Sequence, residues 1–174
     1  MKKKQLSRTQ YAELINKARG TVITACINLE LIMDIYIAER FCTSKDQINE
    51  LASLILTPRI QWREKLEVFK VLILKYNKEF EKDYPTFYTN IKDVIEHRNV
   101  LAHLSASVTI DSLNEYNTAG NITFHKFKNF TDGKTKEIGY SRTPFYTGES
   151  LDSIIYTCNL YVSAIKKFLI IAVK

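Results

Sequence analysis

The chain has 174 residues, 45% of them hydrophobic, with 25 Lys and Arg against 19 Asp and Glu for a formal net charge of +6. That length and apolar share fit one globular domain and exclude a disordered or collagen-like chain. The basic surplus favours polyanionic partners, nucleic acid foremost, and the dispersed cysteines Cys26, Cys42 and Cys158 include no CxxC pair, so a zinc knuckle or disulfide framework is not expected and reduced thiols in a cytosolic protein are.

Met1-Lys2-Lys3-Lys4 opens the chain, and no apolar segment follows at once as a signal peptide requires. The apolar stretches 21–38 and 160–173 are interrupted by Glu30 and Asp34 and by Lys166 and Lys167, so neither reads as a membrane span. A soluble, cytoplasmic protein without membrane association is the expectation. Residues 8–41 read as one long helix, or two joined near Gly20, with two apolar stripes: Leu29, Met33, Tyr36 and Ile37, and Ile23, Ile27, Leu31 and Ile35. A helix apolar on so much of its circumference is a central one. Ile48, Leu51, Ala52 and Ile55 place a short helix within 46–56. Thr57-Pro58 supplies a start signal, Thr as N-cap and Pro as the first helical residue, for a helix with Trp62, Leu66, Phe69, Ile73 and Tyr76 on its core face.

The charged stretch 75–83 reads as a solvated turn, and Pro85 as the start of the next helix, which carries Ile91, Val94 and Ile95 inward. After His103 the period changes. Val108 and Ile110 alternate with polar residues, as do Ile122 and Phe124, and 117–121 and Asp132-Gly133 are turn signals, predicting a β-hairpin or three-stranded insert across about 106–142. Leu151, Ile154, Ile155, Cys158, Tyr161, Ile165, Phe168 and Leu169 then define a last helix. The fold class is mainly α: a four- to five-helix bundle in one domain, 1–174, with a small antiparallel β insert before the last helix.

Chemistry concentrates in Arg98-Asn99-Val100-Leu101-Ala102-His103. Arg98 stands where the core stripe asks for an apolar residue, so a counter-charge is expected to hold it; Glu30 and Asp34 are the candidates, with Glu96 a poorer one. Arg98 and His103 are five residues apart, about 500° of rotation or a net 140°, and do not share a stripe. Asn99 and His103 are one turn apart, and Glu96 precedes Asn99 by three residues, so Glu96, Asn99 and His103 share a polar face able to orient the imidazole. His97 falls off that face and is expected to be exposed. The R-x4-H spacing alone arises easily by chance; its weight comes from the Asn after the Arg and from the amphipathic helix around it.

The segment Asp93-Val94-Ile95-Glu96-His97-Arg98-Asn99-Val100-Leu101-Ala102-His103 resembles the signature helix of HEPN domains (higher eukaryotes and prokaryotes nucleotide-binding), with Arg, a polar residue, then His after four to six residues. Leu29-Glu30 and Met33-Asp34-Ile35 are similar to that superfamily's first long helix. The resemblance covers about 8–104 and 148–172 and leaves the β insert unexplained. It implies a metal-independent endoribonuclease, without cofactor or metal, acting as a toxin or phage-defence effector and dimerising so that two motifs face each other. A cognate antitoxin or nucleotidyltransferase partner comes with the toxin role. One subgroup carries a tyrosine two residues after the histidine; Ser105 stands there in this chain, which argues against control by modification of that tyrosine.

Cleavage of RNA at a 2′-hydroxyl needs a base near neutral pH, an acid for the leaving 5′-oxygen and stabilisation of the crowded phosphorane. Histidine as a residue type suits base or acid work near neutral pH, which points to His103; Arg98 is a fixed fork matched to phosphate oxygens, and Asn99 orients His103 or bonds a phosphate. In the insert, Lys126, Lys128, Lys134, Lys136 and Arg142 interleave with Phe124, Phe127, Phe130 and Tyr140, a pattern suited to single-stranded RNA. On general grounds it suits better a half-buried hairpin with a solvated lysine face that protects its edge. The rival to the enzyme is a non-catalytic module of the same fold that binds RNA, a nucleotide or a protein.

Overall fold

A computed structural model describes residues 5–103, 105–106, 108–129 and 138–170, of which 105–106, 124–129 and 138–145 are described by their backbone alone. In chain order the elements are α1 (Arg8–Ala38), α2 (Lys45–Glu50), a π-helical turn (Leu51–Leu56), α3 (Thr57–Arg59), α4 (Trp62–Tyr76), α5 (Lys78–Asp83), α6 (Phe87–His103), β1 (Ser105–Ala106), α7 (Ile110–Ala119), β2 (Ile122–Asn129), β3 (Ile138–Tyr146) and α8 (Gly148–Lys166). The protein is mainly helical, with a small antiparallel insert before the last helix.

The chain groups into two compact units. One holds the residues up to Ile23 together with His97–Ile154, the other Thr24–Glu96 and the residues from Ile155 on. At 31 residues, α1 is about 46 Å long, more than one small core spans. Its two parts are therefore buried in different surroundings. Gly20 does not break it, and a Cβ there would meet nothing within 4 Å.

In the first unit, Tyr11, Ile15 and Val22 of α1 are buried, as are Leu101, Ile122, Tyr146, Leu151 and Ile154. The strands form a sheet in the order β1-β2-β3, antiparallel throughout, with Ser105 opposite His125 and Ile122 opposite Tyr146, and a bulge between Thr123 and His125. The insert differs from its prediction in two respects. It runs on to Tyr146, and its first part is a helix where Val108 and Ile110 predict a strand. The reason is capping: Thr109 Oγ1 accepts from the Ser112 amide to start α7, and Gly120, at φ 76°, ends it. A left-handed C-cap is where glycine has the advantage over a residue with a Cβ. The Asp132-Gly133 turn lies outside the described residues.

In the second unit, the stripe Leu29, Met33, Tyr36 and Ile37 of α1 is buried. Phe69 lies against Tyr36, Phe80 and Phe87 at ring-centroid distances of 4.9, 5.9 and 5.4 Å, and Phe87 meets Tyr161 of α8 edge to face at 4.7 Å. On the other stripe Ile27 and Leu31 stay half exposed. The expected solvated turn at 75–83 is instead α5, because Phe80 folds it down onto the aromatic cluster. Nor does Thr57 cap a helix. Its hydroxyl donates to Asp34 Oδ2 at 2.9 Å, and α4 starts at Trp62 behind a Gln61–Glu64 capping box. Tyr76, expected in the core, is half exposed and lies under the Lys75 ammonium and the Arg40 guanidinium. By length and composition α1 passes as a membrane-spanning helix, which the sequence reading did not foresee; 56% of that apolar window is buried inside the protein.

Candidate active site

The end of α6 is fixed in the first unit by Leu101, fully buried, and by Arg19 of α1, whose Nη2 donates to the Ala102 carbonyl at 2.8 Å. The last carbonyls of a helix lack intrahelical partners and carry the negative end of its dipole. A guanidinium there satisfies one of them and adds a favourable charge interaction. Nothing in the sequence spacing marks Arg19: its partner lies 83 residues away.

Arg98 is partly exposed, and Nη1 donates to Asn99 Oδ1 at 3.2 Å. Among the described residues it makes no ion pair. The expected counter-ions are engaged elsewhere, within the second unit. Lys65 Nζ, completely buried, lies 2.6 Å from Glu30 Oε1 and 2.9 Å from Asp34 Oδ2. The cation on the core face of α4 is thus a lysine that the apolar pattern hides, three residues from Trp62 and four from Phe69, and it takes both α1 carboxylates. Support of Arg98 by Glu30 and Asp34 is corrected accordingly. Glu96, expected to orient His103, pairs with Arg63 at 3.4 Å on an exposed face, a contact of small energetic weight.

His103 ends α6, exposed and without a hydrogen bond among the described residues. Asn99 is also exposed, and its Oδ1 serves Arg98 rather than the imidazole. No hydrogen bond joins Arg98 and His103, in keeping with the 140° offset. His97 departs most from expectation. It is partly buried, and Nδ1 lies 3.0 Å from the hydroxyl of buried Tyr146, the rings meeting edge to face at 5.6 Å. Burial raises the Tyr146 phenol above its ordinary pKa of 10.0.

Of the basic residues in the insert, Lys126 and Lys128 stand on β2 and Arg142 on β3, with Lys126 opposite Ser141 and His125 opposite Arg142. Lys134 and Lys136 lie outside the described residues. Among the described residues no group of three or more His, Cys, Asp and Glu is placed to hold a metal. A groove of about 590 Å³ in the second unit is lined by Leu31, Ile32, Ile35, Val162 and Leu169, with Asn28 and Lys166. It offers no imidazole or carboxylate for acid–base work. No family model, curated protein or solved structure matches this chain.

Proposed function

We propose that the chain is a metal-independent endoribonuclease of HEPN type, cleaving RNA at a composite site that two copies complete. The observation that carries this reading is the state of Arg98: a guanidinium without a carboxylate partner among the described residues, on the same helix end as a solvent-exposed His103. A structural arginine in a core stripe is normally neutralised by a carboxylate; one left unpaired is available to a phosphate.

The chemistry follows from the groups. A neutral imidazole takes the proton of the 2′-hydroxyl, the oxygen attacks phosphorus, and an imidazolium returns a proton to the departing 5′-oxygen. Arg98 holds the charge that grows on the non-bridging oxygens. One chain supplies one His103, set away from its own Arg98. Two facing copies supply two of each, which covers acid and base together. In this reading the protein acts as a toxin or phage-defence effector in the cytoplasm, restrained by a cognate antitoxin or nucleotidyltransferase partner.

A second reading has one observation in its favour: among the described residues His103 has no group to orient it. A non-catalytic module that binds RNA, a nucleotide or a protein needs no oriented base. The test is RNA incubated with the protein in EDTA, beside Arg98→Ala and His103→Ala variants and with the oligomeric state measured by sedimentation. Cleavage lost in both variants of a dimer is the expected result. No cleavage by the wild type, or equal cleavage by all three, leaves the binding module.

A further inference from the structure

The β insert ends on the motif helix. Tyr146 is the last residue of β3, opposite Ile122 at the base of the hairpin, and is buried with its hydroxyl on His97 Nδ1. With the Tyr146 hydroxyl as the donor of this bond, which burial favours by raising its pKa, Nδ1 is the acceptor. A hydrogen bond accepted at one ring nitrogen fixes the imidazole proton on the other, here Nε2. That nitrogen has no partner among the described residues, and the ring is only partly buried. Of the two histidines on α6, the oriented one is therefore His97 and not His103.

Its position matters because Arg98 follows at once. Adjacent helical residues diverge by about 100°, so the imidazole and the guanidinium leave the helix in different directions and do not compete for one position. Arg98, bonded to Asn99, offers a charged fork; Nε2–H offers a neutral donor of fixed direction.

We propose that His97 is a phosphate-contacting residue of this site, presenting Nε2–H to a phosphoryl oxygen, with Tyr146 as the residue that positions it. The ligand class, a phosphodiester, is taken from the RNA-cleavage reading. The contact itself is tested without cleavage, by NMR of the full chain with ¹⁵N-labelled histidine near pH 8, using inorganic phosphate and a fully 2′-deoxy dinucleotide as probes. The expected result is an Nε2–H tautomer at His97, resonances that move with both probes, a movement weakened in Arg98→Ala, and mixed tautomers in Tyr146→Phe. Should Tyr146→Phe disturb folding, His97→Gln and His97→Ala serve instead. The glutamine amide sits near the place of Nε2 and keeps RNA cleavage within about tenfold of wild type, while alanine loses more. An Nδ1–H tautomer in the wild type, or His97 resonances indifferent to both probes, overturns the proposal. The two readings fail differently. If RNA stays intact but His97 still senses phosphate, the nuclease falls and the contact stands. If cleavage needs Arg98 and His103 but His97→Ala cuts at the wild-type rate, the contact falls and the nuclease stands.

Discussion

The Lys65 ammonium and the Asp34 carboxylate meet 2.9 Å apart with both side chains completely buried. Glu30 and Thr57 complete the cluster, at 2.6 Å from Lys65 and 2.9 Å from Asp34 Oδ2, while Asp34 Oδ1 is buried with no partner among the described residues. Two carboxylates share one cation, so the cluster holds more negative than positive charge. It ties α4 and the Thr57 turn to α1, and it removes from Arg98 the counter-ions that the sequence seemed to reserve for it.

Replacing Lys65 by methionine keeps the volume and strands two carboxylates, one of them in the core. Removing one partner of a buried pair is destabilising by about 3–5 kcal/mol. Urea unfolding of Lys65→Met is expected to show that loss, and the double variant Lys65→Met/Asp34→Leu to recover part of it. A single variant as stable as wild type would mean that the cluster is solvated in solution.

The same cluster makes stability depend on pH. Burial outweighs the hydrogen bonds and charge of Lys65 and holds the Asp34 carboxyl above its ordinary value of 3.8. A group whose pKa is higher folded than unfolded stabilises the fold fully below its unfolded value, and that contribution is lost as pH rises through the folded value. The stability difference between wild type and Asp34→Asn should therefore shift toward wild type as pH falls from about 7 to about 4. A difference that stays constant over that range rules out the elevated carboxyl.

What the sequence could express as period was legible: α1, the inward faces of α4, α6 and α8, and a β excursion before the last helix. What depends on partners distant along the chain was not. Lys65 reads as a surface residue until Glu30 and Asp34 are set beside it, and His97 reads as exposed until Tyr146, 49 residues on, is folded against it. Short-range errors had local causes. Two apolar residues in alternation, Val108 and Ile110, outweighed the Thr109 cap and Gly120 stop that make α7, and a run of charges at 75–83 concealed one buried phenylalanine. At the candidate site, the 140° offset of Arg98 and His103 was legible from helical geometry, whereas the partners of Arg98, Glu96 and His97 were not.

Arg19 is expected to matter for the site without touching substrate. Arg19→Ala removes a charge-assisted bond to the Ala102 carbonyl, worth about 1–2 kcal/mol, and frees the last turn of α6. Amide exchange at Val100–His103 should quicken while the buried centre of α4 keeps its protection. Unchanged exchange at 100–103 would show that Leu101 alone holds the helix end.

Stability and activity should separate at Arg98. Its side chain is partly exposed and, among the described residues, bonded only to its neighbour Asn99, so Arg98→Ala is expected to unfold within about 0.5 kcal/mol of wild type. Losing a group that stabilises developing charge slows a reaction by about 10²-fold or more. A variant that cleaves RNA slowly at wild-type stability is the expected outcome. A stability loss of several kcal/mol would instead mark Arg98 as a structural residue.

The cysteines differ in reach. In the second unit Cys26 of α1 and Cys158 of α8 are completely buried with their sulfurs 3.9 Å apart, and contact with Cys26 together with burial pushes the Cys158 thiol far up. Cys42, just beyond α1, is partly exposed. Only a thiolate attacks an alkylating agent or a disulfide, so the buried pair should be inert while the fold is intact. Iodoacetamide at neutral pH is expected to label Cys42 alone, and all three once urea unfolds the chain, with peptide mapping to assign each adduct. Labelling of Cys158 in the native protein at a rate close to that of Cys42 would show that α1 and α8 part readily at this level.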